Sequence, residues 1–215
     1  FHAWAPDAYA SARLQVTALM ASLVKAAVVL ALVRILQGVV LDAHTAVLVG
    51  ALALVSIVFG NLAALGQTRF KRLLAYSSVA HAGYMIFALI DSTGSRGDDL
   101  LWYTAFYAGG TLLACAAFAV ICPDEDDSLQ GLDGQFARHP LAAVLLALAV
   151  LSLAGLPPRP GFFAKLFVFK SVVASGHLLA AILAFVGSFL GLAVYLGIVV
   201  RLFRTDLSRP VAKTT

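Results

Sequence analysis

The chain has 215 residues, 61% of them hydrophobic and only 12% charged, where soluble domains carry about 25% charged residues. With a mean hydropathy of +0.94, this composition excludes a soluble globular domain and predicts an all-α, polytopic bundle of transmembrane helices. The net charge of +4 is read as membrane topology and contact with anionic lipid, not as nucleic-acid binding.

The opening segment "FHAWAPDAYASA" is neither a signal peptide nor a basic leader, and without a methionine at position 1 the sequence reads as part of a longer polypeptide. A spanning helix needs about 20 apolar residues, and six stretches qualify by length and pattern: 14–38, 45–67, 70–90, 100–121, 140–172 and 177–203. The first carries Lys25 about eleven residues from its start, which is about 15 Å from either end at about 1.5 Å per residue. Lysine at a helix centre costs about 2.5–3.5 kcal/mol on insertion scales. That depth is too great for comfortable snorkelling, so Lys25 is expected to face a bundle interior or water and to mark an ion pathway.

The third stretch holds Lys71 and, ten residues later, His81, so the two lie about 15 Å apart on one helix. Histidine exchanges a proton near neutral pH, and Tyr76, Ser77, Ser78 and Tyr84 are expected to surround it with hydroxyls, giving a relay. A histidine that is only hydrogen-bonded structure is the plainer reading. Lys71 stands beside Arg69 and Arg72, which leaves it open between the relay and interfacial anchoring. Cys115 and Cys122, in or at the end of the fourth stretch, show no disulfide or metal-ligand spacing. The following "CPDEDDSLQGLDGQFARHP" is polar and acidic and is expected to run outside the bilayer.

The fifth stretch is too long for one straight span and contains "GLPPRPG". Pro157, Pro158 and Pro160 remove amide donors while Gly155 and Gly161 loosen the backbone, so a broken helix is predicted. Unpaired backbone at membrane depth is tolerated only against protein or water, and Lys165, four residues past the break, has the setting of a transporter lysine. Arg159 is left open between a charge-tuning role and the interface; Lys170 reads as an anchor.

Alternating the spans collects Arg13, Arg69, Lys71, Arg72, Arg138, Arg201, Arg204, Arg209 and Lys213 on one side. The other has Arg34 and Arg96, plus Lys170 if it reaches the surface. Nine against three predicts the first side to be cytoplasmic. No Asp or Glu falls inside the six stretches, so the lysines are expected to lack a carboxylate partner in this chain. Either they are neutral much of the time, or their counter-charges lie on helices elsewhere, because unpaired buried charge is expensive.

The segments "FHAWAPDAY", "FGNLAALGQTRFKRLLAYSSVAHAGY" and "HPLAAVLLALAVLSLAGLPPRPGFFAKLFVF", with their spacing, resemble the antiporter-like membrane subunits of respiratory complex I, the bacterial NADH:quinone oxidoreductases. The resemblance covers nearly the whole chain and is nearest the N-type branch. It implies part of an inverted-repeat fold: residues 1–38 ending a first repeat with the Lys25 helix, 39–204 forming a second five-helix repeat, and 205–215 a cytoplasmic tail. It implies a proton-translocation axis of Lys25, Lys71, His81 and Lys165, and no catalytic redox residue, metal or cofactor in this chain. NADH, FMN, iron–sulfur clusters and quinone would belong to partner subunits of the membrane-arm complex, in a bacterial inner membrane. The family's further glutamate and lysine would precede Phe1. Subunits of sodium/proton antiporters share this pattern, and a non-conducting structural subunit is the alternative of another class. The chain departs from the pattern at Gly197, where the family has arginine, and at Arg69, where asparagine is usual.

Overall fold

A computed structural model describes residues 4–36, 39, 41–91, 96–123 and 127–204, with the backbone alone at Arg96. The expected tail at 205–215 lies outside the described residues. Among the described residues the structure is helical throughout, apart from turns and one isolated antiparallel bridge between Arg69 and Ser128.

A short helix α1 (Ala5–Ser11) leads into a continuous rod, Leu14–Ile35, made of α2 (Leu14–Leu19), a π-helical turn (Met20–Val24) and α3 (Lys25–Ile35). Helix α4 (Ala43–Leu65) begins at Asp42, whose carboxylate accepts from the amides of His44 and Thr45 and so satisfies two of the orphan donors at a helix start. The Thr45 hydroxyl and these amides hold the Asp42 carboxyl below the usual range. Helix α5 (Phe70–Phe87) is prolonged by a 3₁₀ turn at Ala88–Ile90, and α6 spans Arg96–Ile121. The fifth apolar stretch divides as predicted, into α7 (Pro140–Ala154) and α8 (Pro160–Ala174), and α9 (Leu178–Phe203) follows. Each half of the broken helix starts with proline in its first turn, where the missing N–H has no intrahelical partner to lose.

Among the described residues, five helices are long and apolar enough to cross a membrane, and α7 is a shorter apolar helix. One expectation fails here. Helix α6 starts four residues before the apolar stretch that announced it and takes in Asp98 and Asp99. Asp99 is buried, and the Ser171 hydroxyl of α8 donates to it. A carboxylate with a hydroxyl donor is tolerated in a first helical turn, which a hydropathy boundary does not register.

The bundle is built around α5, buried over 89% of its span against 28–44% for the four other long helices. Helices α1, α4, α6 and α8 pack against it, and α9 reaches it through the Tyr195 hydroxyl. Apolar side chains such as Leu48, Leu52 and Val55 of α4 and Leu179, Ile182 and Val186 of α9 remain exposed, as lipid-facing surfaces require. This is why α4 and α9 read as hydrophobic all round. Lipid gives helices no hydrophobic reason to associate, so contact depends on close approach at small residues. A Cβ on Gly83 of α5 would lie 2.8 Å from the Ala53 carbonyl oxygen and 2.9 Å from the Ile57 nitrogen of α4. One on Gly60 of α4 would lie 2.6 Å from the Ala80 nitrogen.

Gly83→Ala is therefore expected to cost about 1–3 kcal/mol, as overpacking against backbone does. Gly109→Ala, where a Cβ meets nothing within 4 Å, is expected to be neutral or stabilising by up to about 1 kcal/mol. Denaturant titration of the detergent-solubilised full-length protein compares them. Equal stabilities would disprove the close α4–α5 contact.

A buried lysine, histidine and tyrosine axis

Lys25 follows the π turn directly. The extra residue in such a turn re-aims the side chains that follow it, and π turns recur at functional sites. The ammonium group donates to the backbone carbonyl and the hydroxyl of Ser78 on α5 and lies 4.8 Å above the Tyr107 ring of α6. Lys25 is half-buried, and Leu23, Val24 and Val28 beside it are exposed.

The preceding residue of α5, Ser77, shares a short hydrogen bond with the Tyr195 hydroxyl of α9, which also lies 3.3 Å from His81 Nε2. On its other side, His81 Nδ1 is 2.9 Å from the Tyr103 hydroxyl of α6. A neutral imidazole donates at one nitrogen and accepts at the other, so a tyrosine stands ready at each. The His81 ring packs 4.6 Å from that of Tyr107. His81 was expected to gather hydroxyls from its own helix. The structure corrects this: its direct partners come from α6 and α9, Ser77 reaches it only through Tyr195, Ser78 serves Lys25, and Tyr76 packs edge-on against Phe59. Ser77, Ser78 and Tyr84 stand three or four residues from His81, within side-chain reach on one helix, but Tyr195 takes Ser77 and Lys25 takes Ser78, while the Tyr84 ring meets the imidazole edge-on at 6.0 Å, so partners across the bundle take the ring nitrogens.

Lys165, buried in α8, is positioned by the break. Within a helix the Ala154 carbonyl would accept from residue 158, but Pro158 has no N–H. The Lys165 ammonium donates to that carbonyl at 2.9 Å and to the Ser188 hydroxyl of α9 at 2.8 Å, and it lies 4.8 Å above the Tyr84 ring. Gly155 terminates α7 with φ of +85°, and a Cβ there would stand 2.9 Å from Lys165 Cδ. A glycine is thus required for both the turn and the lysine's path across it. Pro157 and Pro158 form the exposed corner of the break, joined by a cis peptide, Pro160 opens α8, and the Gly161 amide donates to the Ser152 hydroxyl at 3.2 Å.

Lys25 engages Ser78, three residues before His81, and Lys165 covers Tyr84, three residues after it, so the lysines flank the histidine by about 4.5 Å of helix rise each. A cavity of about 10 Å³, room for roughly one water, lies between His81, Tyr103, Tyr107, Ser152 and Gly161.

The structure does not bring Lys71 into this cluster. It sits one helix-half away and donates to the carbonyls of Ala10 (3.3 Å) and Ala12 (3.0 Å) at the α1–α2 turn. Contrary to expectation it also has a carboxylate, Asp127 Oδ2 at 4.0 Å. Asp127 belongs to the acidic loop, whose residues Asp127–Leu129 pair with the start of α5. Arg159 reaches the Leu148 carbonyl at 3.4 Å, Lys170 is exposed, and Arg201 pairs with Asp133 at 3.4 Å. Tyr103, Tyr107, Ser188, Tyr195 and Asp127 were missed from the sequence. A hydroxyl in an otherwise Leu, Val and Gly helix was the available signal for Ser188 and Tyr195. Among the described residues no group of three or more His, Cys, Asp or Glu could hold a metal.

A polytopic helical bundle with one span broken beside a buried lysine, and a titratable string crossing its centre, defines the antiporter-like class of membrane protein. The chain belongs to the family described as "NADH:quinone oxidoreductase/Mrp antiporter, TM", which matches residues 1–191. It is 58% identical over 206 residues to NADH-quinone oxidoreductase subunit N of Pelobacter propionicus, covering 96% of this chain and 44% of that protein. Among solved structures it is similar to a chain of respiratory complex I from Thermus thermophilus with bound aureothin, with TM-score 0.83, 38% identity and coverage of 99% of this chain and 46% of that one. It is also similar to a chain of the Mrp complex from a Dietzia species, with TM-score 0.78, 27% identity and coverage of 95% and 39%. The chain thus spans less than half the length of these relatives.

Gly155→Ala is expected to destabilise the protein by about 1–2 kcal/mol from the left-handed backbone alone, and further through the contact with Lys165. In a double-mutant cycle with Lys165→Ala, the contact part should vanish and leave a coupling of about 0.5–3 kcal/mol. Strict additivity in denaturant melts would show that Gly155 does not govern the lysine.

Proposed function

We propose that this chain is a proton-translocating part of a membrane-arm subunit of NADH:quinone oxidoreductase, with Lys25, Lys71, His81 and Lys165 on the path. The observation that carries this reading is the way the two central lysines are held. Among the described residues, Lys25 and Lys165 meet only carbonyls, hydroxyls and aromatic faces. An ammonium in an ion pair must leave its counter-charge unpaired when it releases a proton, at a cost of several kcal/mol in a buried site. Neutral acceptors carry no such penalty, so these lysines are suited to exchange.

Protons enter near Lys71, reach the Ser77–Tyr195–His81 string, and pass between Lys25 and Lys165 by way of His81, Tyr103 and water in the adjacent cavity. Like charges repel strongly where the effective dielectric is low, so a charge arriving on one lysine lowers the occupancy of the other. Such a charge step can be driven from a neighbouring subunit. NADH oxidation, FMN, iron–sulfur clusters and quinone reduction are assigned to those partners. We assign residues 1–38 to the end of one repeat and 39–204 to a second, and the face bearing Arg69, Lys71, Arg72, Arg201 and Arg204 to the cytoplasmic side of a bacterial inner membrane. The greater likeness to subunit N than to the Mrp chain favours quinone-linked proton movement over sodium/proton antiport.

Lys25→Ala and Lys165→Ala, introduced in the full complex reconstituted in vesicles, are each expected to slow proton transfer through this subunit by on the order of a hundredfold, the scale of a positioned acid–base group. The protons moved per electron should fall to the contribution of the partner subunits. Lys165→Arg should not restore them, because guanidinium does not release its proton in proteins. Unchanged stoichiometry in both alanine variants would rule out the relay.

A further inference from the structure

The corner around Lys71 holds a buried polar atom that the helix scaffold leaves unpartnered. The loop returning from α6 is clamped onto the start of α5: the Phe70 amide donates to the Asp127 carbonyl at 2.6 Å, the Leu129 amide to the Thr68 carbonyl at 2.8 Å, and Arg69 and Ser128 form an antiparallel bridge between these bonds. The clamp fixes the backbone of Asp127 and turns its side chain inward, where the residue is 7% exposed. Its Oδ1 lies 3.7 Å from Arg69 Nε. Its Oδ2 is buried without a hydrogen bond and stands 4.0 Å from Lys71 Nζ. A direct charge-assisted bond would measure about 2.7–2.9 Å, so the two groups are held apart.

Beside them is a cavity of about 20 Å³ lined by Leu14, Lys71, Phe118, Cys122 and Asp127, enough for roughly one water. Lysine has three N–H donors. Two of those on Lys71 engage the carbonyls of Ala10 and Ala12, which leaves the third for the side facing Asp127. A water there would accept from Lys71 and donate to Oδ2, satisfying both. Among the described residues at this corner, Arg72 Nη2 lies 3.6 Å from Asp7 of α1, and both side chains are well exposed.

We infer that Asp127 is the proton-loading carboxylate at the mouth of the path, sharing one held water with Lys71. This rests on the proton-translocation reading above and extends it to a residue outside the central axis. A proton from bulk water arrives on the side where the exposed Arg69 flanks Oδ1 and protonates the Asp127 carboxylate. The carboxylic acid passes it to the held water, which releases one of its own protons toward the interior end of α5, restoring carboxylate and water together. Lys71 orients that water, and the α1–α2 turn and the clamped loop hold Lys71 and Asp127 at the separation it needs.

The test is proton uptake by the full complex in vesicles, followed with a pH-sensitive dye. Asp127→Asn should slow uptake by about tenfold, less than a complete loss because water still reaches Lys71. Asp127→Glu should retain most of the rate. Azide or formate, small weak acids able to ferry a proton into the cavity, should restore uptake in Asp127→Asn and leave the wild type unaffected. Wild-type uptake in Asp127→Asn would overturn the inference. So would a slowed uptake that azide does not rescue in a fully assembled complex, since that identifies Asp127 as a clamp only. Lys165→Ala run in parallel separates the two readings: loss there with normal uptake in Asp127→Asn removes Asp127 alone, whereas normal uptake in both removes proton translocation by this subunit.

Discussion

The Ala154 carbonyl is stranded at the end of α7 because the residue that should donate to it is Pro158. In a bilayer no solvent is available to satisfy such a group, and an unsatisfied carbonyl in hydrocarbon costs several kcal/mol. Lys165 supplies the missing donor at 2.9 Å. The exchange is mutual, since the carbonyl gives a buried ammonium an acceptor that the apolar core otherwise lacks. The proline break and the lysine are therefore one device. Gly155 is its third part, because the lysine's methylenes pass through the space where a Cβ would stand. The position of α8, the coverage of Tyr84 and the separation of Lys165 from His81 all follow from that contact.

The central helix makes the rest of the axis possible. Because α5 is enclosed nearly all round, its polar residues find partners on several helices: Ser78 faces Lys25, Ser77 and His81 share Tyr195 of α9, and His81 also meets Tyr103 of α6. A lone histidine in a bilayer would be an unsatisfied group. One set among tyrosines from two other helices has both ring nitrogens provided for. The same enclosure demands small residues where helices touch, and Gly60 and Gly83 occupy the places where α4 and α5 come closest. Close packing and the polar string are thus served by different faces of one helix.

Much of this could be read from the amino-acid order, for physical reasons. Spans were legible because hydrocarbon demands length and apolarity, and the break because three prolines in seven residues leave no other outcome. Lys25, His81 and Lys165 stood out because each is costly where it lies. What escaped was whatever depends on contacts distant in sequence. Tyr103 and Tyr195 are unremarkable on their own helices and acquire meaning only where α6 and α9 converge on His81. Asp127 was hidden differently: its acidic, proline-containing surroundings read as solvated loop, and only backbone pairing with Thr68–Phe70 returns it to the bundle. Asp99 fell outside its span because hydropathy weighs a residue's polarity and not its hydrogen-bond donor.

The charges sort by depth, and the sorting bears on how the molecule can work. At the ends of the helices, Arg69 and Lys71 face Asp127, Arg72 faces Asp7, and Arg201 faces Asp133. In the middle, among the described residues, Lys25 and Lys165 face only neutral oxygen and aromatic rings. Were the central lysines paired with acids, each would be fixed as an ammonium, since losing the proton would strand a buried carboxylate. Were the peripheral cations unpaired, the loops that close the bundle would lose contacts that hold them to α5 and α9. The pairs of Arg72 with Asp7 and of Arg201 with Asp133 therefore fasten the rim, where water lowers their cost. Hydroxyls and carbonyls line the centre, where a group that changes charge needs partners that do not.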